Sequence, residues 1–237
     1  MTDGNVPIKL LIMDVDGTLA KVNRPILPST LELLKQLQAH GIRLALSSGK
    51  PTAYLMGFVR QTGLSDVIIT GENGAMTFSS GGHLPEWDIV IRSTDEVFQL
   101  RLDFIKLVNE KFGDRIWLQP NHANVAVFWR SEDIKEDVYQ TVLSFCKIES
   151  AHNLKTYRHV DCVDLLFSHA DKGMSLDMLM SKLNLSKNEV AAIGDSENDG
   201  PMLRHAGLSL GINCALADHD FINIDEALFW LLSNIDE

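Results

Sequence analysis

Asp14-Val-Asp16-Gly-Thr places two carboxylates two residues apart, directly after an apolar run over residues 8–13. Such a run reads as a buried parallel strand, and Gly17 and Thr18 break it, so both acids fall on a turn at the strand's carboxyl end. Ligands of open α/β sheets bind at that edge. Two acids crowded there repel each other, and a divalent cation relieves the repulsion. One carboxylate can then serve as nucleophile and the other as proton carrier. Alone, the same spacing also describes an Asp-rich turn with no chemistry.

Other reactive residues repeat the arrangement. Ser47-Ser48-Gly49-Lys50 ends a short apolar run over 42–46, and Gly194-Asp195-Ser-Glu-Asn198-Asp199 ends another over 190–193. If the runs are parallel strands, their polar ends converge on one edge. Lys172 opens a nearby helix, where its charge opposes the helix dipole, so a bound anion explains it better than solvent does. Four carboxylates, a hydroxyl and a lysine suit magnesium with a phosphoryl group. Magnesium takes few carboxylates and completes its shell with water and phosphate oxygens, while lysine acts on phosphate as a point charge.

The elements that must position these residues follow from periodicity. Ser29 and Glu32 have capping-box spacing, and Leu31, Leu34 and Leu37 form a helical face that Gly41 ends. A second helix is expected over 52–61, stopping at Gly63, and a third strand over 67–70. Glu72-Asn73-Gly74-Ala75 then reads as a tight turn. The β-α-β-α-β order predicts a doubly wound parallel sheet, class α/β. Gly81 and Gly82 mark a linker.

The next segment changes character. Helices are expected over 94–112, with Ser93 and Glu96 as capping box, and over 132–146, with Ser131 as N-cap. Strands are expected over 115–119, 124–130, 154–159 and 162–167. That α-β-β-α-β-β order describes an inserted α+β unit over 82–167, with the core formed by 1–81 and 168–237. The α/β pattern resumes with the Lys172 helix, the strand at 190–193, a helix over 200–205, a strand over 208–210 and a helix over 225–233.

Composition bounds the function. The 237 residues are 45% hydrophobic and 22% charged, which suits a packed globular protein. A net charge of −11 argues against nucleic acid as a partner. No apolar stretch has membrane-spanning length and no signal pattern opens the chain, so a cytoplasmic protein with no membrane partner is expected, as monomer or homodimer. Cys146, Cys162 and Cys214 lack metal or disulfide spacing and read as buried thiols. His122, His152, His159 and His169 lack paired ligand spacing, so no metal role is expected of them.

Four motifs in order, Asp14-Val-Asp16-Gly-Thr18, Leu46-Ser-Ser48-Gly49, Lys172-Gly173 and Gly194-Asp195-Ser-Glu-Asn198-Asp199, give the chain a resemblance to the haloacid dehalogenase-like phosphatases. The insertion between the second and third motifs, preceded by Glu72-Asn73-Gly74-Ala75, resembles the cap of phosphoglycolate, sucrose-phosphate and trehalose-phosphate phosphatases and of phosphomannomutases. By size and cap order the archaeal-type phosphoglycolate phosphatases are the nearest likeness.

The resemblance implies that Asp14 attacks phosphorus to form an aspartyl-phosphate and that Asp16 moves protons to and from the leaving alcohol and water. It implies Mg²⁺ held by Asp14, Asp195 and Asp199, with the Asp16 backbone carbonyl. Ser48, Gly49 and Lys172 would bind the phosphate, with Asn198 orienting the group. Where the subfamily often carries Arg or Asn, this chain has Lys50-Pro51. A small phosphorylated metabolite is the implied substrate, with Asn121, His122, Lys155, Tyr157 and Arg158 as cap residues that either select it or are solvated. The rival readings are a sugar-phosphate phosphomutase and a phospho-Asp signalling module. A dinucleotide site is disfavoured because no G-x-G-x-x-G follows the first strand.

Overall fold

The computed structural model describes residues 8–80, 84–167 and 169–234. Gly81 and Gly82, expected as a linker, lie outside the described residues. The first elements are β1 (Leu10–Met13), α1 (Pro28–Ala39), β2 (Arg43–Ser47), α2 (Thr52–Arg60) and β3 (Ile68–Gly71), followed by β4 (Met76–Phe78) and β5 (Asp88–Val90). The inserted unit contains α3 (Asp95–Phe112), β6 (Ile116–Leu118), β7 (Val125–Trp129), α4 (Lys135–Ile148), β8 (Lys155–Arg158) and β9 (Cys162–Leu166). The chain returns through α5 (Lys172–Leu183), β10 (Val190–Gly194), α6 (Gly200–His205), β11 (Leu208–Ile212), β12 (His219–Phe221) and α7 (Ile224–Asn234).

Eight strands form the main sheet in the order β12-β11-β10-β1-β2-β3-β4-β5. The six from β12 to β3 are parallel, and β4 and β5 add antiparallel at one edge. Each residue of β1 is buried, as expected of a strand covered on both faces. Alternate β1 residues serve the two faces: Leu11 and Met13 pack towards α1, α2 and α7, and Leu10 and Ile12 towards α5 and α6. The second sheet, β6-β7-β9-β8, is antiparallel and shares an aromatic core with α3 and α4, in which Phe104, Phe145 and Phe167 lie within 6.4 Å of one another by ring centroid. Among the described residues, no helix is long and apolar enough to cross a membrane.

Several local expectations are corrected. The core sheet runs on to Val90, past the boundary expected at residue 82, because Met76–Phe78 pairs with Asp88–Val90. β4, β5 and β12 are three residues each and mix polar with apolar positions, so no apolar run marks them in the sequence. Ser29 does not cap α1: the helix starts at Pro28, which puts Ser29 inside the first turn, and its hydroxyl and that of Thr30 donate to Asp225 on α7. At α3 the N-cap is Thr94, which accepts from Val97 N–H, rather than Ser93. Ser131 occupies its expected position but makes no side-chain cap bond, and one 3₁₀ turn precedes α4.

Candidate active site

Main-chain geometry brings the acidic turns together. After β1, Gly17 N–H donates to Ala20 O and Ala20 N–H to Val15 O, a tight loop that needs φ +92° at Gly17. A Cβ at Gly17 would overlap the Asp195 carboxylate, so glycine permits the first and last motifs to touch. Thr18 Oγ1 donates to Asp195 Oδ1 at 2.6 Å across the same contact. After β10, Asp199 turns back on its own loop and accepts the backbone N–H groups of Asp195 (3.0 Å) and Ser196 (3.1 Å).

One oxygen each of Asp14, Asp195 and Asp199 lies within 4.8 Å of the others. Lys172, with its side chain fully buried, donates to Asp14 Oδ1 at 2.5 Å and to Asp199 Oδ1 at 2.6 Å. Burial alone would lower the lysine's pKa, but the two carboxylates outweigh it and hold the ammonium charged. One ammonium cannot balance three carboxylates. Burial therefore pushes the Asp14 carboxyl up to about 7 against the pull of Lys172, and Asp199 and Asp195 add to the rise. Burial also raises Asp195, against its hydrogen bond from Thr18. A surplus of negative charge in a largely buried oxygen cluster fits a hard divalent cation.

Asp16 stands apart from this cluster. Its carboxylate forms an ion pair with Lys50, the residue that departs from the subfamily pattern. Ser48 is buried beside them, with its N–H on Thr70 O, and Gly49 lies against Asp164 and Asn73. Asn198 donates to Asn73 Oδ1 and accepts from Ser196 Oγ, which gives it an orienting position. All of the expected site residues except Lys172 and Asp199, which are buried behind it, line a cleft of about 860 Å³ between core and cap.

The cap side of the cleft is lined mostly by residues outside the five candidates. Of the five cap residues considered, Arg158 lines it; Tyr157 is half-buried on β8, Lys155 pairs with Asp171, and the His122 N–H and the Asn121 carbonyl are engaged by Glu72 and Arg101. Asp164, His159, Cys162, Trp117 and Gln119 line it instead. A clue to Asp164 was present: it is a lone carboxylate in the apolar strand Cys162-Val-Asp164-Leu-Leu. His159, Cys162 and Asp164 also approach within 4.8 Å of one another, a grouping invisible in their spacing. Asp164 Oδ2, however, already accepts from Asn73 and faces His159 Nε2 at 3.4 Å.

Burial would lower the His159 pKa, but the Asp164 carboxylate more than offsets it and the pKa rises. The imidazolium's contribution to stability is then complete below its ordinary value of 6.5 and is lost as pH climbs through the raised folded value. The titration midpoint of His159, followed by its ring proton shifts, is expected above 6.5 and should fall below it in Asp164→Asn.

Comparisons with known proteins agree with this architecture. A family model described as haloacid dehalogenase-like hydrolase matches residues 11–102 and 118–217. A phosphoglycolate phosphatase of Methanoculleus marisnigri is 29% identical over 217 residues, covering 88% of this chain and 85% of that protein. The 5-amino-6-(5-phospho-D-ribitylamino)uracil phosphatase of Bacillus subtilis is 24% identical, covering 89% and 86%. A solved haloacid dehalogenase-like hydrolase from B. subtilis superposes with a TM-score of 0.73 at 18% identity, over 96% of this chain and all of that one.

Proposed function

Because the chain belongs to the haloacid dehalogenase-like hydrolase family, we propose that it is a Mg²⁺-dependent phosphatase working through an aspartyl-phosphate on Asp14. Phosphatase activity on a small phosphorylated substrate follows from the family and the relatives. The proposed substrate is of the phosphoglycolate or sugar-phosphate type. The observation that carries the reading is the fully buried Lys172 ammonium held between Asp14 and Asp199. Its fixed positive charge beside Asp14 would attract an anionic phosphoryl group arriving at that carboxylate.

In the proposed reaction Asp14 attacks phosphorus in line, and the leaving alcohol takes a proton from Asp16. Asp16 then removes a proton from the water that opens the acyl phosphate, which returns Asp14 and releases phosphate. Lys172, Ser48 and the Gly49 backbone hold the non-bridging oxygens. The residues that would hold Mg²⁺ are Asp14, Asp195, Asp199 and the Asp16 carbonyl; the ion would supply charge neutralisation between an anionic nucleophile and an anionic ester. Lys50 pairs with Asp16 in its carboxylate form, the form left once its proton has passed to the alcohol.

Phosphate release from p-nitrophenyl phosphate and a panel of phosphorylated metabolites tests the reading. Hydrolysis without an acceptor sugar is expected with Mg²⁺, and EDTA should reduce it at least about 100-fold. Turnover that requires an acceptor sugar would favour a phosphomutase, and a covalent phosphate lasting minutes would favour a signalling module.

A further inference from the structure

The turn between β3 and β4 holds an arrangement that the transfer chemistry leaves unused. Glu72 and Asn73 are 0% and 2% exposed, and both take left-handed backbone conformations, with φ of 54° and 55°. Two such residues in succession persist only where their surroundings over-determine them. Glu72 accepts the cap N–H groups of His122 (2.8 Å) and Ala123 (2.7 Å), and its own N–H donates to Lys50 O. Asn73 N–H donates to Ser48 O at 3.0 Å.

The Asn73 amide then uses both ends. Its Nδ2 donates to Asp164 Oδ2 on β9 at 2.8 Å, and its Oδ1 accepts from Asn198 Nδ2 at 3.2 Å. From Asn198 the bonds continue through Ser196, whose hydroxyl donates to Asn198 Oδ1 (2.6 Å) and whose N–H donates to Asp199 Oδ2 (3.1 Å). Lys172 joins Asp199 to Asp14. A continuous line of polar contacts, buried except at Ser196, which lines the cleft, thus runs from a cap strand to the proposed nucleophile. Gly49 lies alongside it, where a Cβ would stand 3.0 Å from Asp164 Oδ2 and 3.2 Å from Asn73 Nδ2.

On the phosphatase reading of the site, we propose that Asn73 is a positioning residue that transmits the seating of β9, through Asp164, to the Asp199 loop and the Lys172–Asp14 pair. Only a side chain that both donates and accepts can serve the two contacts at once. The cap thereby does more than cover the cleft: its docked strand holds the phosphate and cation groups in register.

Reciprocal exchange tests this, with steady-state hydrolysis of p-nitrophenyl phosphate over a Mg²⁺ series. Asn73→Asp sets a carboxylate against Asp164 and should lower kcat at least about 30-fold. Adding Asp164→Asn restores a donor facing an acceptor at both contacts of residue 73, and the double variant should regain at least about tenfold of that loss. Asp164→Ala, which removes the cap end alone, should lower kcat about tenfold and raise half-saturating Mg²⁺ at least about threefold. Loss of folded enzyme would not shift the Mg²⁺ dependence.

A double variant no better than Asn73→Asp, or an Asp164→Ala enzyme with wild-type kcat and Mg²⁺ dependence, overturns the assignment. If circular dichroism shows Asn73→Asp unfolded, Asp164→Ala decides alone. A wild-type protein that releases no phosphate sinks the phosphatase reading and the relay together, whereas an active wild type with indifferent variants sinks the relay only.

Discussion

Asp14→Asn should reduce phosphate release at least about 10⁴-fold, because the amide offers no anionic oxygen to phosphorus and no second route to the same bond exists in the site. The variant should also accumulate no acid-stable phosphate on the protein during turnover. Stability is expected to move the other way. The Asp14 carboxyl is buried and raised to about 7, so ionising it in the cation-free protein is unfavourable. A raised carboxyl costs nothing below its unfolded value near 3.8, and the penalty grows until pH passes the folded value. In EDTA at pH 8, Asp14→Asn should therefore melt at the same temperature as the wild type or above it. Substantial residual turnover would remove Asp14 from the proposed role.

Lys172→Met should be costly in both respects. Its side chain is fully buried, and methionine fills the stem but leaves Asp14 and Asp199 without their shared cation. Breaking a buried pair by removing one partner costs about 3 to 5 kcal/mol, which for a chain of this size lowers Tm by roughly 10 °C. Losing the ammonium raises Asp14 further, and that increment counts only above the existing folded value of about 7. The Tm deficit should accordingly be larger at pH 8 than at pH 5, as thermal melts in the two buffers would show. Turnover should fall about 1,000-fold or more, since the phosphate loses its charge partner. A variant with wild-type Tm and kcat would contradict the central role given to the lysine.

Much of this was legible because the fold writes its chemistry at strand ends. Buried parallel strands are short apolar runs, and each turn after them carries polar residues that have no reason to be there except the edge they share. Asp14, Ser48, Asp195 and Asp199 stand out that way, Lys172 by its charge at a helix start, and the structure brings Asp14, Asp195, Asp199 and Lys172 together. What stayed hidden depended on pairing across the chain. Nothing local in Asn73 announces that its amide bridges residues 91 and 125 positions away. Nor does Lys50 announce its partner, since Asp16 lies 34 residues before it. Ser29 likewise turns to a distant partner, the Asp225 carboxylate on α7, from inside a helix that starts at Pro28.

The short flanking strands of the main sheet have a consequence for behaviour in concentrated solution. β5 and β12 are three residues each, and each presents an exposed aspartate, Asp88 and Asp220. Open sheet borders invite annealing between copies, and brief, charged borders resist it. A border of that kind offers too few main-chain bonds for a neighbour to extend the sheet, and two negative borders meeting would repel. The fold can thus keep five strands of apolar parallel sheet, β11 to β3, without seeding fibres from its flanks.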